Sequence, residues 1–204
     1  MNTKEALDAL YEFPIATLIN AHERITAVGA SVRPLFAGAR VFGPARTAII
    51  KPGQNAAIHR AVHTARAGET LVVSAGGDTH YGSFGDILAQ ACIDRGIAGL
   101  VIDGTIRDTA DIVAMGFPVF CTGANPTGTS KADPGDIDRE IRCGDARVRP
   151  GDFISGDEDG VIVIPREIVD GLAARCRSVM DKEGRIRQQL ADGRTTCEIF
   201  RIEV

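Results

Sequence analysis

Apolar positions change their spacing along this chain, and the changes mark its elements. Between Ala56 and Ala67, Ile58, Val62 and the surrounding alanines recur at helical spacing, and the segment passes through Gly68 into the β-branched stretch Thr70 to Ser74. That pattern predicts a helix feeding a strand. A glycine-rich stretch, Gly76 to Gly85, follows, and Asp86 then opens Ile87 to Arg95, whose Ile87, Leu88, Ala91 and Cys92 share one face, with Gly96 at the usual C-terminal stop. Gly99 to Asp103 is a continuous apolar run of the kind found in strands buried on both faces. Thr109 to Met115 reads as a short helix stopped by Gly116, and Pro118 to Cys121 as another strand. The sum is β-α-β-α-β with right-handed parallel connections.

The second half differs. From Asp133 to Pro165, short β-type runs, among them Phe153 to Ser155 and Val161 to Ile164, alternate with the turn signals PGD, CGD and EDG, which predicts hairpins or a barrel-like layer. Arg166 to Asp192 returns to helical periodicity, with Ile168, Leu172, Cys176 and Val179 on one stripe and Gly184 expected to interrupt it. A terminal helix with so little core of its own is expected to pack on a neighbouring subunit.

Composition narrows the function. The 204 residues carry 23 basic and 27 acidic side chains with no basic stripe, so nucleic acid is not an expected partner. No apolar run reaches the roughly 20 residues that span a bilayer, and the N-terminus MNTKEALDAL lacks the apolar core of a signal peptide; the expected location is the cytoplasm, with no membrane partner. The five cysteines are widely separated and include no CxxC pair, which predicts free thiols rather than zinc or redox chemistry. The length suits one domain covering residues 1–204.

Chemistry is expected where parallel strands end and successive loops converge on a crevice. Two loops stand out. GGDTHYGSFGD (Gly76 to Asp86) ends at a helix N-terminus, whose unpaired amides from about Phe84 through Gly85, Asp86 and Ile87 to Leu88 can hold a carboxylate. DGTIRD (Asp103 to Asp108) lies one β-α unit later. If the two strands are neighbours, about 4.8 Å apart, Asp86 faces Arg107 and Asp108. A guanidinium at Arg107 can bind a carboxylate or oxo group and stabilise an enolate. Asp86 and Asp108 supply the hard oxygen ligands that Mg2+ or Mn2+ prefers, which points to cleavage of a small 2-oxo acid. Two plainer readings stand beside these: Asp86 as a helix cap, and Arg107–Asp108 as an ordinary surface pair.

Twenty residues separate Asp86 from the Arg107–Asp108 pair, and this spacing resembles that of the 4-hydroxy-4-methyl-2-oxoglutarate / 4-carboxy-4-hydroxy-2-oxoadipate aldolases, which are class II pyruvate aldolases. The chain is also similar to the related family called regulator of ribonuclease activity A. The likeness runs through YGSFGDILAQACIDRGIAGLVIDGTIRDTADIVAMGFPVF and VRPGDFISGDEDGVIVIP. The resemblance implies an RraA-like α/β/β layered fold with a parallel β-α-β core, a β-rich layer and a long C-terminal helix, assembled as homotrimers or homohexamers. It implies retro-aldol release of pyruvate, with oxaloacetate decarboxylation as a companion activity. Asp108 would ligand the metal, Asp86 would hold a metal-bound water, and Arg107 with the amides near Phe84 to Leu88 would bind pyruvate. Glu183, in the terminal helix, falls where the aldolases bring a glutamate from an adjacent subunit. The alternative the resemblance allows is a non-catalytic protein that binds and inhibits a ribonuclease. Asn20-Ala21-His22 and Thr122-Gly123 depart from the Asp-Ala-Leu and Arg-Gly common among relatives, which puts the natural substrate in question more than the chemistry.

Other motifs carry less. His59 and His63 are four apart on an expected helix, but Arg60 stands where a zinc protease would have glutamate. His80 and Tyr81, inside the glycine-rich loop, are candidates for contact with the distal end of a substrate. A Schiff-base mechanism would draw on Lys4, Lys51, Lys131 or Lys182, of which Lys131 alone follows a suitable loop. No dinucleotide or P-loop motif occurs.

Overall fold

The structure, a computed structural model, describes residue 7 and residues 9–203. Helix α1 (Ile15–Ala21), strands β1 (Thr26–Ala27) and β2 (Arg33–Pro34), and the nine-residue β3 (Val41–Ile49) come first. Then follow α2 (Ala56–Thr64), β4 (Thr70–Ser74), α3 (Asp86–Asp94), β5 (Gly99–Ile102), β6 (Thr105–Ile106), α4 (Thr109–Met115), β7 (Val119–Cys121) and β8 (Gly123–Ala124). The β-rich part comprises β9 (Asp136–Ile137), β10 (Ile141–Cys143), β11 (Ala146–Val148), β12 (Phe153–Asp157) and β13 (Gly160–Ile164). After a single 3-10 turn at Arg166–Ile168, helices α5 (Leu172–Ala191) and α6 (Thr196–Phe200) end the chain.

The main sheet runs β1-β13-β12-β3-β4-β5-β7-β2, with β9 added to β3. Its centre, β3-β4-β5-β7, is parallel, and each step is made through one of α2, α3 and α4. The flank β3-β12-β13-β1 is antiparallel. At the far ends Arg33 of β2 donates to the carbonyl of Asp159, in the β12–β13 turn, at 3.0 Å, so the sheet curls back toward itself. This is the mixed α/β architecture expected of an RraA-like chain.

Local sequence explains most of these elements. Helix α2 buries Ala57, Ile58, Ala61 and Val62, and α3 buries Leu88, Ala89 and Cys92; both stripes rest on the parallel strands beneath Phe84, Leu100 and Ile102. On the opposite face Val41, Val72, Val101, Phe120 and Ile154 form a second core roofed by the β10–β11 hairpin, whose turn uses Gly144 at φ 53°. A third cluster joins α1 and the start of α5 to β13.

Two expectations need correction. The helix expected over Arg166–Asp192 begins only at Leu172, because Gly171 adopts φ 79° and breaks the chain direction after the 3-10 turn. Gly184 does not interrupt α5, which runs unbroken to Ala191; the glycine sits on an exposed face with open space around it, where its cost is only about 1 kcal/mol of helix propensity. The central strand β3 has no counterpart among the expected elements, because Gly43 and Pro44 disguise its alternating buried and half-buried positions. Pro44 is tolerated because its ladder partner is Phe153 on one edge only, while the β4 ladder on the other edge begins at Ala45.

Phe120 is completely buried between the sheet and the hairpin layer, close enough to Gly156 that a Cβ there would lie 2.9 Å from its ring. Phe120→Ala is expected to lower unfolding free energy by about 3–5 kcal/mol, measured as a shift in the urea midpoint; a shift of under about 1 kcal/mol would show that this interface is loosely packed.

Candidate active site

Strands β4, β5 and β7 end side by side, and the loops that leave them build one crevice. The first loop, residues 75–85, is sewn to the loops that follow β5 and β7. Gly82 N–H donates to the Thr127 carbonyl at 2.8 Å, Ser83 N–H to the Thr105 carbonyl at 3.0 Å, and Arg107 N–H to the Phe84 carbonyl at 2.8 Å. The Thr105 hydroxyl donates to the Tyr81 carbonyl at 2.9 Å. These bonds bring the N-terminus of α3 against the N-terminus of α4.

At that junction Asp108 adopts φ 53°, ψ 40°, a left-handed conformation uncommon outside glycine but accessible to aspartate. Its Oδ2 accepts from the backbone N–H of Asp86 at 3.4 Å and lies 3.2 Å from Arg107 Nε. Its Oδ1 accepts nothing among the described residues. The structure therefore brings Asp86, Arg107 and Asp108 together as their spacing suggested. Asp86 is not a helix cap: Gly85 occupies that position and Asp86 is the first helical residue, with no partner for its carboxylate among the described residues. The amides of Gly85, Ile87 and Leu88 also lack acceptors within the described chain, leaving three convergent donors at the positive end of α3.

Three glycines make room for this group. A Cβ on Gly85 would collide with Asp108 Oδ2 and come within 3.2 Å of Arg107 Nε. A Cβ on Gly82 would lie 2.7 Å from Arg107 Cβ, and one on Gly128 would lie 3.1 Å from Arg107 Nη1. Bare backbone thus lies against the Arg107 side chain at its base, by Gly82, and at its guanidinium, by Gly85 and Gly128.

The crevice opens into a cavity of about 240 Å³ lined by Asp86, Ile87, Leu88 and Arg107 on one side, and by Asn55, His59, Thr129 and Lys131 on the other. Asn55 stands at the N-cap of α2 but does not cap it. Its Nδ2 donates to the Ser83 carbonyl at 3.2 Å, and its buried Oδ1 has no partner among the described residues. His59, one turn further along α2, has its pKa lowered by burial and by the positive charge of Lys131. His59 had been legible only as half of an i, i+4 histidine pair; its useful neighbour is Asn55, one turn before it, and His63 lies outside the cavity.

Other candidates fall elsewhere. Phe84 is fully buried and stacks on Phe117 with ring centroids 6.1 Å apart, so only its backbone serves the crevice. His80 is exposed, its N–H turned to Asp78 Oδ1, and Tyr81 packs against Gly53; neither lines the cavity. Glu183 does not reach the cavity of its own chain; it lies on α5 and pairs with Arg187 at 3.0 Å. No group of three or more His, Cys, Asp and Glu side chains gathers among the described residues. The carboxylates of Asp108 and Asp86 still fit a magnesium-type ion, which is held by one or two carboxylates while substrate and water complete its shell.

Comparison with known proteins gives the family of this chain. A family model described as RraA-like, Aldolase/RraA, matches residues 5–163. A protein of Halalkalibacterium halodurans that bears the provisional name 4-hydroxy-4-methyl-2-oxoglutarate aldolase is 38% identical over 153 residues, covering 75% of this chain and 73% of that protein. Among solved structures, RraAS2 of Streptomyces coelicolor, described as an unusual member of the RNase ES inhibitor RraA family, has a TM-score of 0.79 at 30% identity, over 90% of this chain and 96% of the other. The RNA-processing inhibitor RraA of Thermus thermophilus has a TM-score of 0.70 at 27% identity, over 76% and 93%.

Because Gly85 has φ −139°, alanine suits its backbone and only the collision matters. Gly85→Ala is expected to fold with an unchanged far-UV circular dichroism spectrum and to lose calorimetric binding of oxalate, used as a small dianion. Binding at wild-type strength would mean that the Arg107–Asp108 pair tolerates displacement.

Proposed function

The chain belongs to the RraA-like family, which joins aldolases and RraA proteins, and from that membership we propose that it is a divalent-metal-dependent lyase that releases pyruvate from a 4-hydroxy-2-oxo acid. The observation that carries this reading is the junction at Asp108, where one carboxylate meets the Arg107 guanidinium and the Asp86 amide while keeping an oxygen free. In this reading Asp108 would ligand Mg2+ or Mn2+ and Asp86 would hold a water bound to it. The ion supplies Lewis acidity toward the 2-oxo group.

The chain's own groups do the rest. The 1-carboxylate docks on the free amides of Gly85, Ile87 and Leu88, where the helix terminus favours an anion. Arg107 donates to the 2-oxo oxygen, and its attraction grows as that oxygen gains charge. The unpartnered Asp86 carboxylate takes the 4-hydroxyl proton, directly or through water. The C3–C4 bond then breaks, its electron pair forms the enolate of pyruvate, and proton return to C3 completes the product. Lys131 and Thr129 receive the distal carboxylate, with neutral His59 beside them. Oxaloacetate would lose CO2 through the same enolate, so decarboxylation is a companion activity. Glu183 enters the site of a neighbouring copy in a homotrimer or homohexamer, the assembly that would also cover the exposed length of α5.

No helix among the described residues is long and apolar enough to cross a membrane, which suits a small-molecule substrate met in water. The competing reading, a ribonuclease-binding protein, draws on the names of the Streptomyces and Thermus relatives and uses none of the crevice's free donors.

Asparagine tolerates the left-handed backbone as well as aspartate does, so Asp108→Asn isolates the charge. Pyruvate release from 4-hydroxy-4-methyl-2-oxoglutarate or oxaloacetate, coupled to lactate dehydrogenase, is expected to require Mg2+, to vanish with EDTA, and to fall by about 100-fold or more in this variant. Turnover indifferent to EDTA would reject the metal; silence on both substrates together with capture of a ribonuclease would transfer the case to the competing reading. Lys131→Met is expected to raise KM for the dicarboxylic substrate by about tenfold or more, the loss of one charge-assisted contact, with kcat little changed.

A further inference from the structure

Asp103 follows β5 directly and plays no part in the chemistry above. The residue is 7% exposed, and its carboxylate has no ion-pair partner among the described residues. Burial raises its pKa, opposed by backbone N–H groups that hold the charged form, those of Ala75, Gly144 and Gly76 among them. Oδ1 accepts from the Ala75 N–H, Oδ2 accepts from the Gly144 N–H at 3.2 Å, and the Asp103 carbonyl accepts from the Gly77 N–H at 2.9 Å. A charge buried among amides is costly unless every lone pair is used.

The position of those amides gives the group its meaning. Ala75 is the root of the loop whose far end is Gly85–Asp86. Asp103 is itself the root of the segment that ends at Arg107–Asp108. Gly76 and Gly77, at φ 65° and 76°, turn the first loop sharply just where the carboxylate grips it. Gly144 ties the same carboxylate to the β10–β11 turn on the opposite face of the sheet. Both oxygens face N–H donors, so the site demands an acceptor on each side. Asparagine has the same shape but would aim an NH2 group at one of them.

We propose that Asp103 is a positioning residue, whose ionised carboxylate locks the roots of the two site loops in register so that their ends meet at the Asp108 carboxylate. Its kinetic readout rests on the lyase reading; its exchange readout does not. Asp103→Asn is expected to lower kcat by about 10- to 100-fold, the range a small misplacement of reacting groups produces, with a smaller change in KM. Hydrogen–deuterium exchange is expected to speed up in peptides spanning 75–86 and 142–146 while β12 and β13 keep their protection. A purely structural role would lower the melting temperature and leave kcat per folded molecule and the exchange pattern outside global unfolding unchanged, which would overturn the proposal.

The wild type supplies the second measurement, which holds even if the variant does not fold. The Ala75 and Gly144 amides are expected to exchange more slowly than that of His80, an exposed residue whose N–H donates to Asp78 Oδ1; equal exchange would overturn the proposal. If the wild type released no pyruvate yet these amides were protected and Asp103→Asn freed them, the lyase reading would fail and the role of Asp103 in loop register would stand.

Discussion

Strand β3 shares its hydrogen bonds among three neighbours. Residues 41–44 pair antiparallel with β12, residues 45–49 pair parallel with β4, and Ala48–Ile49 also take β9. Parallel and antiparallel ladders require different bond patterns, and one continuous strand satisfies both because its first half pairs with β12 on one edge and its second half takes β4 on the other. The consequence is a single sheet with two characters. The parallel half must cover both faces with helices and hairpin, and it delivers three consecutive strand ends to one rim. The antiparallel half anchors α1 and the beginning of α5. The crevice exists because the parallel half holds β4, β5 and β7 in adjacent register, so loops distant in sequence leave from neighbouring points.

How legible this was in the sequence depended on whether local pattern and global role agreed. Helices α2, α3 and α4 and strands β4, β5 and β7 carry apolar spacings that match their burial, and glycines at 96 and 116 mark helix ends with positive φ. The hairpin turns were readable for the same reason. Strand β3 was not, since a glycine and a proline in its middle are breaker signals, and only the exchange of partners there makes them harmless. In the crevice, Asp86, Arg107 and Asp108 could be read from loop positions at strand ends. The opposite wall could not: Asn55 looks like a helix cap and His59 like half of a metal pair, and only the tertiary approach of the 125–132 loop turns them toward a common space with Lys131. Asp103 was visible as the start of DGTIRD, yet its work is done through backbone amides, which no residue pattern announces.

Electrostatics in the crevice are divided by position. One wall offers backbone dipoles and a guanidinium fixed by a carboxylate. The other offers an ammonium and an imidazole whose pKa is lowered by burial and by that ammonium. A small dianion with a polar middle matches this division, since each end finds donors of a different kind. The two carboxylates at the narrow end keep the site from binding anions indiscriminately, because only a counter-charge or a shared proton lets an anion approach them closely.

The glycines packed around Arg107 bear on how this protein can change over evolutionary time. A methyl group on Gly82 would meet the Asn125 carbonyl and one on Gly85 the Asp108 carboxylate, so substitutions there disturb either the backbone or the charged pair. His59, Thr129 and Lys131, half-buried or exposed, stand on a helix face and a loop where a change of side-chain size meets less resistance. Divergence of the lineage would therefore run along one wall only, keeping the half of the pocket that handles the 2-oxo acid while the acceptor end drifts from one substrate to the next.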